Sequence, residues 1–397
     1  MLPLNDIVIH PSTPPRYALT QCPLYTGHRI LADYALVIDG DRILDVVPTA
    51  SLPTDLPRRQ GSGIAAPGFI DLQLNGCGGV MFNDTITPAT LDTMHRTNLR
   101  SGTTSFLPTL ITTTDAAMEH AMAMIDGYRQ PCPDRVLGLH LEGPYLNLKR
   151  RGIHEGRQVR PADDAMINTL VAAGPDRVRL LTLAPEKVPA HQIRRLVEAG
   201  IRVSAGHSDA TFEAAMAGFE AGVSLVTHLF NAMSPWLGRS PGLVGAALRC
   251  PEVYAGIIVD GHHVHFDSVH LAHRLKGDHL VLVSDATPPV GTAMTSFIIG
   301  GQEVFYREGK CVSAEGTLGG SALTLLEAVR HCVDQVGIPL AEALRMASLY
   351  PARAIGVDHT LGRLAPGYRA NVVMVDPRTW QIQAVIDQGI WHAMAIP

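Results

Sequence analysis

The order of apolar and polar positions divides the chain into three segments. Between Ala35 and Val47, apolar residues alternate with polar ones on both sides of an Asp-Gly pair, which predicts a β-hairpin. From about residue 64 to residue 357, short apolar runs alternate with segments of helical periodicity. Residues 358–397 are again of β type, with Gly and Pro turns. This order predicts an α/β barrel, residues 64–357, inserted into one small β domain that residues 1–63 and 358–397 build together.

One βαβ unit is the clearest feature of the barrel segment. A short apolar strand ends just before His207, Ser208 and Asp209 favour a helix start, and helical spacing continues over residues 210–221. A second apolar strand then ends just before His228. Because parallel strands place their carboxyl ends at the same edge of a sheet, we expect both imidazoles on one rim of the barrel.

Two further apolar runs end on carboxylates, Glu142 and Asp285. Charged groups at the ends of buried strands are seldom left without a partner or a metal ion. Two imidazoles and one carboxylate form a donor set that catalytic zinc sites use, with one position left open for water. We therefore expect Glu142, His207 and His228 to bind a metal and Asp285 to transfer protons.

The first predicted barrel strand carries Gln73 and Asn75, which alternate with apolar residues and so share one face. Cys77, in the Gly-rich turn that follows, is interpreted as a small residue required by a tight turn. The six cysteines are scattered without a C-x-x-C pair, so neither a disulfide framework nor a thiolate zinc site is predicted.

Three later segments are candidates for binding. In the segment DGHHVH, His263 is expected to point away from His262 and His265, which favours one functional histidine over a cluster of three. Arg239 lies in a loop rich in Gly and Pro. The Gly-rich segment 316–321 precedes a helical pattern and fits either an anion site at a helix start or a plain connector.

Composition narrows the class of protein. Apolar residues make up 46% of the 397 positions, enough for a large core, and a net charge of −5 gives no basic field for nucleic acid. The first 30 residues have no charged segment followed by an apolar one, and the chain has no 18-residue apolar run. We therefore expect a cytoplasmic protein without a membrane or nucleic-acid partner.

Six motifs, in this order, resemble those of the N-acetylglucosamine-6-phosphate deacetylase family of the amidohydrolase superfamily. They are PGFIDLQLNGCGG, GLHLEGPYLN, SAGHSDAT, THLFNAM, DGHHV and LVSDAT, and the similarity continues through LGGSALTLLEAV and LYPARAIG. The resemblance implies a distorted (β/α)8 TIM-type barrel with a small β-sandwich built from both termini. It also implies hydrolysis of N-acetylglucosamine 6-phosphate to acetate and glucosamine 6-phosphate, in amino-sugar catabolism and cell-wall sugar recycling.

The resemblance also implies site residues. The family's metal ligands correspond to Glu142, His207 and His228, its general base to Asp285, and the histidine that polarises the acetyl carbonyl to His154. Its substrate contacts correspond to Ile153, His154, Asn231, Ala232, Arg239, His263, Leu318, Gly319 and Gly320.

The wider superfamily binds a second metal through a His-x-His motif, which is replaced here by Gln73 and Asn75. The resemblance thus implies one divalent ion per subunit, zinc first, with iron, cobalt or manganese as alternatives. It further implies a homodimer in which Arg239 reaches the phosphate of the neighbour's substrate.

Two other functions compete with this interpretation. One is a different amidohydrolase, such as a cyclic-amide hydrolase or an aminohydrolase, many of which bridge two metals with a carboxylated lysine. None of the four lysines lies in a predicted barrel strand: Lys149, Lys187, Lys276 and Lys310. The other is a barrel that binds a sugar phosphate without catalysis. Asp285 argues against it, because a binding protein does not need a free carboxylate beside the metal.

Overall fold

The structure, a computed structural model, describes residues 16–129 and 132–394. Its centre is a sheet of eight parallel strands that pair in chain order. We number these barrel strands β1 to β8, and their bounds are Phe69–Leu74, Thr103–Ile111, Leu139–Glu142, Val178–Leu183, Arg202–Ala205, Leu225–Val226, Tyr254–Ile257 and Leu280–Leu282. The Asp285 N–H, just beyond β8, donates to the carbonyl of Gln73 in β1 at 2.9 Å. The sheet thus closes into a barrel, which confirms the predicted fold.

Helices follow the barrel strands and pack against them through apolar faces. Their bounds are Pro88–Leu99, Asp115–Arg129, Asp164–Arg177, Ala190–Glu198, Phe212–Glu220, Gly242–Arg249, Phe266–Lys276, Leu325–His331 with a π-helical continuation Cys332–Val336, Leu340–Ala347 and Leu349–Ala354. No helix among the described residues is long and apolar enough to cross a membrane.

The helix after β5 begins two residues later than predicted. Thr211, rather than Ser208 or Asp209, is the N-cap, and its side chain accepts the N–H of Ala214 at 3.2 Å. Ser208 instead donates its hydroxyl to Glu186 at 2.7 Å. The prediction from residue type was wrong here because a contact distant in sequence engages the first candidate cap.

The small β domain consists of two sheets. The strands of the first, in spatial order, are Arg42–Pro48, Tyr34–Asp39, Tyr17–Thr20 and Arg58–Gln60. Those of the second are Ile390–Ala393, Gln381–Asp387, Val372–Asp376, Ile64–Pro67, Leu24–Tyr25 and Ile30–Leu31. Both ends of the chain therefore share the second sheet, and one apolar cluster joins the two sheets. The predicted hairpin turns at Gly40, whose φ of +60° suits glycine.

A three-stranded antiparallel sheet, which the sequence analysis did not predict, follows β8. Its strands are Ser296–Ile299, Gln302–Arg307 and Lys310–Ser313. Residue Gly300 lies against the backbone of Ile153, where an added Cβ would come within 2.1 Å of the carbonyl oxygen. Because Ile299 lines the large cavity at the barrel mouth, this inserted sheet forms part of the cavity wall.

Candidate active site

Three predicted ligands meet at the carboxyl ends of the barrel strands. Glu142 is the last residue of β3, while His207 and His228 each follow the end of their strand, β5 and β6, by two residues. Oε1 of Glu142 lies 3.0 Å from Nε2 of His207 and 3.1 Å from Nε2 of His228, and the two nitrogens lie 3.1 Å apart. All three side chains are buried. The parallel strands thus bring the three together as predicted.

The protonation state of His207 shows whether the set of Glu142, His207 and His228 can bind a cation. Its Nδ1 lies 2.9 Å from the backbone carbonyl oxygen of Arg150, which only accepts hydrogen bonds, so the ring proton belongs on Nδ1. The lone pair of Nε2 in the neutral ring then faces the carboxylate of Glu142. Two acceptors directed at each other suit a positive ion between them. Tetrahedral bonds of about 2.0–2.1 Å place donor atoms roughly 3.3–3.4 Å apart, close to the observed spacing, so the residues fit a divalent ion.

A fourth donor, His154, lies at the edge of this group. Its Nε2 is 4.0 Å from Oε2 of Glu142, and the ligand atoms of Glu142, His154 and His207 all lie within 4.8 Å of one another. Burial, followed by the electrostatic influence of the neighbouring His207 imidazole, lowers the pKa of His154 to about 3. The ring is therefore neutral at physiological pH.

Thr112 controls which nitrogen of His154 carries the proton. Its hydroxyl oxygen lies 2.8 Å from Nδ1 of His154 and 3.1 Å from the carbonyl oxygen of Glu142. When the hydroxyl donates to the carbonyl, Nδ1 of His154 donates to Thr112 and Nε2 is an acceptor. When the hydroxyl turns to Nδ1, Nε2 carries the proton and becomes a donor toward the cavity.

One carboxylate oxygen of Asp285 accepts hydrogen bonds from two side-chain amides. Nε2 of Gln73 lies 3.1 Å and Nδ2 of Asn75 lies 2.6 Å from Oδ1 of Asp285. Gln73 also donates to Oε1 of Glu142 at 3.1 Å. Burial, with the negative charge of Glu142 as the next cause, raises the pKa of Asp285 to about 6. Burial alone would raise the pKa of Glu142, but the neighbouring imidazoles of His207 and His228 outweigh it and hold that pKa well below its usual value.

The residues after β5, β6 and β8 share an uncommon backbone conformation. His207, His228 and Asp285 have φ values of +48°, +32° and +52°. Residues other than glycine seldom adopt the left-handed region, and such strain concentrates at functional sites, where the surrounding structure fixes it. Three of the four strand-end groups identified from sequence, all except Glu142, are thus among the strained positions of this rim.

A cavity of about 400 Å³ opens over the side chains of Glu142, His207, His228 and Asp285. Most of the predicted site residues line it, namely Asn75, Glu142, Ile153, His154, His207, His228, Asn231, Ala232, His263, Asp285, Leu318 and Gly320. Sequence reasoning missed five other lining residues, which are Ile111, Lys149, Arg150, Gly152 and Ile299, and it included Gly316 and Thr317 only as part of the candidate Gly-rich segment 316–321. Gln73, Gly319 and Arg239, all described, are outside this lining. Arg239 is exposed in a tight turn between Leu237 and Ser240.

His263 is turned away from His262 and His265, as expected, although residues 260–263 form a bend after β7 and not the extended segment that the expectation assumed. Its Nδ1 lies 2.7 Å from Oδ2 of Asp260 and its side chain is buried at the cavity, whereas His262 and His265 are exposed. The Gly-rich segment 316–321 lines the cavity with its backbone. The next helix begins only at Leu325, which does not line the cavity, and the side chains of its own capping box engage the N–H groups of Thr324 and Glu327.

Glu186, which the sequence analysis did not single out, connects three loops of the rim. Its Oε1 accepts from Nδ2 of Asn147 and from the N–H of Asp209, each at 2.8 Å, and its Oε2 accepts from Ser208 at 2.7 Å. These loops follow β3, β4 and β5. Glu186 therefore ties the loop of His154 to the segment that carries His207.

Comparisons with known proteins identify the family of the chain. The amidohydrolase family profile matches residues 64–394, and the NagA composite domain matches residues 16–64. The N-acetylglucosamine-6-phosphate deacetylase of Haemophilus influenzae is 42% identical over 381 residues, 95% of this chain and 99% of that protein. The N-acetylgalactosamine-6-phosphate deacetylase of a Shewanella species is 40% identical over 333 residues, 83% of each chain.

A solved structure extends the likeness to three dimensions. The D267A mutant of the Mycobacterium smegmatis N-acetylglucosamine-6-phosphate deacetylase, in complex with N-acetylglucosamine 6-phosphate, has a TM-score of 0.85 at 31% identity. The match covers 95% of this chain and 99% of that one. The chain is thus an amidohydrolase. Within that class it belongs to the N-acetylglucosamine-6-phosphate deacetylase family, as its motifs indicated.

Proposed function

We propose that this protein hydrolyses the N-acetyl group of N-acetylglucosamine 6-phosphate, releasing acetate and glucosamine 6-phosphate. The observation that carries the proposal is the placement of Asp285 at the cavity that also holds Glu142, His207 and His228. A metal-type donor set with an additional carboxylate supplies what amide hydrolysis requires, an activated water and a group that moves protons. The activities named for the relatives support the same reaction.

Glu142, His207 and His228 would hold one divalent ion per subunit. A carboxylate with two imidazoles suits zinc, and also iron, cobalt or manganese, so availability in the cell decides the metal. When bound, such an ion supplies a Lewis acid for the acyl oxygen and lowers the pKa of a coordinated water to about 7. Gln73 and Asn75 present neutral amides in place of a second set of ligands.

Asp285 is proposed as the general base and then the general acid. Its Oδ2 takes a proton from the attacking water as the carbon–oxygen bond forms. It then delivers that proton to the nitrogen as the carbon–nitrogen bond breaks and the bonding electrons move to nitrogen. His154, with its proton on Nε2, donates a hydrogen bond to the acyl oxygen, while Ile153 contacts the acyl group.

The sugar phosphate is proposed to lie over the loops after β6, β7 and β8. The proposed contacts come from Asn231, Ala232, His263, Leu318, Gly319 and Gly320. Arg239 would bind the phosphate from the second subunit of a homodimer. The exposed neighbours Trp236 and Leu237, with 55% and 59% of their surface accessible, support this arrangement because exposed apolar side chains are typical of interfaces.

We also propose a domain division and a compartment. The division is residues 1–63 and 358–397 for the small β-sandwich domain, of which 1–15 and 395–397 lie outside the described residues, and residues 64–357 for the catalytic barrel. The strand Ile64–Pro67 pairs with Val372–Asp376 in the second sheet of the small domain, so this strand belongs to the small domain and the boundary moves to about residue 68. The two-sheet core shared by both chain ends supports this division. The enzyme is proposed to act in the cytoplasm, in amino-sugar catabolism and cell-wall sugar recycling, and its six free cysteines suit a reducing compartment.

An acetate-release assay after metal analysis tests the proposed function. Wild-type protein should release acetate from N-acetylglucosamine 6-phosphate far faster than from unphosphorylated N-acetylglucosamine, and the 4-epimer in the same panel defines sugar specificity. Asp285→Asn is the matched inactive control. Binding of the sugar phosphate without acetate release would favour a sensor, and turnover restricted to cyclic amides or amino groups would favour another amidohydrolase.

A further inference from the structure

Gln73 and Asn75 occupy the positions that carry second-metal ligands in the wider superfamily, yet both contact the proposed base. Their amide nitrogens lie 3.1 and 2.6 Å from Oδ1 of Asp285. The backbone fixes this placement: Asp285 N–H donates to the Gln73 carbonyl at 2.9 Å, and Asn75 N–H donates to the Ala286 carbonyl at 3.0 Å. The contact is therefore a consequence of barrel closure rather than of two mobile side chains meeting.

The direction of the Asn75 amide follows from its partner. An ionised carboxylate only accepts hydrogen bonds, so the NH2 end of Asn75 must face Asp285 and the carbonyl end must face away. Asn75 is 1% exposed and lines the substrate cavity, and its Oδ1 has no hydrogen-bond partner among the described residues. Buried polar atoms are nearly always paired in folded proteins. This oxygen is thus an acceptor that suits a donor entering the cavity.

The substrate of a deacetylation brings such a donor. Its amide N–H lies on the nitrogen that must later receive a proton from the general acid. We propose that Asn75 is a catalytic residue that accepts this N–H at Oδ1 while its Nδ2 holds Oδ1 of Asp285. One side chain would then place the leaving nitrogen beside the other carboxylate oxygen of Asp285, Oδ2, which delivers the proton as the carbon–nitrogen bond breaks. This inference rests on the proposed function.

The loop that contains Gly320 completes the enclosure of Asn75. A Cβ at residue 320 would lie 3.7 Å from Nδ2 of Asn75, and only 2.9 Å from the carbonyl oxygen of Asp285. With a φ of +67°, this position requires glycine both for conformation and for the close approach. The loop therefore approaches the contact between Asn75 and Asp285 closely, and a side chain there would disturb it.

Gln73 differs from Asn75 in its contacts: it reaches a proposed metal ligand as well as the base. Its NH2 group donates to Asp285 and to the ligand Glu142 at 3.1 Å each, and Gln73 is outside the cavity lining. We assign Gln73 as a positioning residue for ligand and base together. Loss of Gln73 should therefore weaken metal binding, by the 10- to 100-fold typical of outer-shell partners, whereas loss of Asn75 should leave it within about twofold.

The decisive experiment compares an amide with an ester. The specificity constant kcat/KM is measured for N-acetylglucosamine 6-phosphate and for its ester analogue, glucose 6-phosphate acetylated at O2, which has no N–H. In Asn75→Ala the amide should lose about 2- to 12-fold more than the ester, the range for one neutral hydrogen bond. Equal loss on both substrates, or loss of metal in a chelator competition as large as that of Gln73→Ala, would overturn the proposal.

Two further variants keep the test valid. Asn75→Asp is isosteric, retains an acceptor oxygen and loses the donor. Its kcat should therefore fall on both substrates, while the amide-to-ester ratio of kcat/KM stays near that of the wild type. A changed ratio contradicts the assignment. Asn98→Ala removes a buried amide that bonds the Met94 carbonyl at 3.0 Å, outside the cavity, and should leave the ratio unchanged. Absence of acetate release by wild-type protein would instead reject the proposed function.

Discussion

The backbone carbonyl oxygen of Arg150 lies 2.9 Å from Nδ1 of His207 and thereby fixes the side of the ring that faces Glu142. The side chain of Arg150 is itself anchored, with Nε 2.9 Å from Oδ1 of Asp209, two residues beyond that histidine. The loop after β3 and the segment after β5 are thus held together at the ligand. Outer-shell contacts of this kind orient metal ligands, and the loss of one typically weakens metal binding by about 10- to 100-fold.

Arg150→Ala should therefore weaken metal binding while the three ligands remain in place. We expect a loss of about 10-fold, at the lower end of the effect of outer-shell partners, because the backbone carbonyl is retained. Competition with a fluorescent chelator measures it. Lys149→Ala is the control, since Lys149 is 79% exposed and reaches Asp209 only at 3.5 Å. Equal affinities for the two variants would show that the anchor has no effect on His207.

Asp285→Asn should separate chemistry from metal binding. The change keeps the shape of the side chain and removes the proton acceptor, so kcat should fall by at least about 100-fold, as for general-base catalysis elsewhere. Metal content should stay at the wild-type level because Asp285 is not a proposed ligand. Steady-state kinetics with metal analysis on the same sample checks both. Near-normal turnover would place the base elsewhere.

Loss of Arg239 should affect substrate binding far more than turnover. A charge-assisted contact to phosphate is worth about 1.5–3 kcal/mol, so Arg239→Ala should raise KM roughly 10- to 150-fold. Arg249→Ala, an exposed arginine on the next helix, is the matched control. KM for the phosphorylated and unphosphorylated sugars measures the effect.

Subunit mixing tests whether Arg239 acts on the partner's site. A dimer of one Arg239→Ala chain and one Asp285→Asn chain contains one site with both groups intact. Activity at low substrate concentration should return once exchange is complete. No return despite demonstrated exchange would assign Arg239 to its own chain or to no site.

A buried ion pair joins the barrel to the small domain. Oδ2 of Asp387 lies 3.0 Å from Nε2 of His95 and 3.2 Å from Nη2 of Arg135, and its side chain is fully buried. Burial alone would raise the pKa of Asp387, but the charges of His95 and Arg135 outweigh it and the pKa is lowered. Because the folded-state pKa is depressed, this carboxylate stabilises the fold above its unfolded pKa of about 3.9.

Asp387→Asn should consequently lower the free energy of unfolding by about 3–5 kcal/mol at pH 7, the range for breaking a buried pair. The difference from wild type should shrink as pH falls below about 4, through the folded-state pKa. Denaturant unfolding at several pH values measures it. Asp126→Asn is the control, because its pair with Arg177 is exposed and worth at most about 1 kcal/mol. A difference that does not depend on pH would contradict the assignment.

The sequence revealed the barrel and its strand ends because the signals are local. Apolar runs that end on Glu142, His207, His228 and Asp285 can be recognised within a few residues, and parallel pairing then brings them together. The inserted sheet carried weaker signals: its turns at Gly300-Gly301 and Gly309 were visible, but its strands are short and partly exposed.

Contacts between residues far apart in the sequence could not be predicted from local patterns. Gln73 and Asp285 are 212 positions apart, and nothing near either residue indicates that they touch. The same holds for Glu186, whose three partners belong to two other loops. The pairing of acceptors that indicates a cation between His207 and Glu142 needs the position of the Arg150 carbonyl, which only the folded structure provides.

A metal titration of acetate release tests whether one metal ion per chain drives the deacetylation. Metal-free protein receives Zn²⁺ in steps while acetate and glucosamine 6-phosphate are measured with N-acetylglucosamine 6-phosphate as substrate. We expect equal amounts of the two products, a rate that reaches its plateau at one ion per chain, and no response in His228→Ala. A plateau at two ions per chain, or no acetate at any metal content, would contradict this expectation.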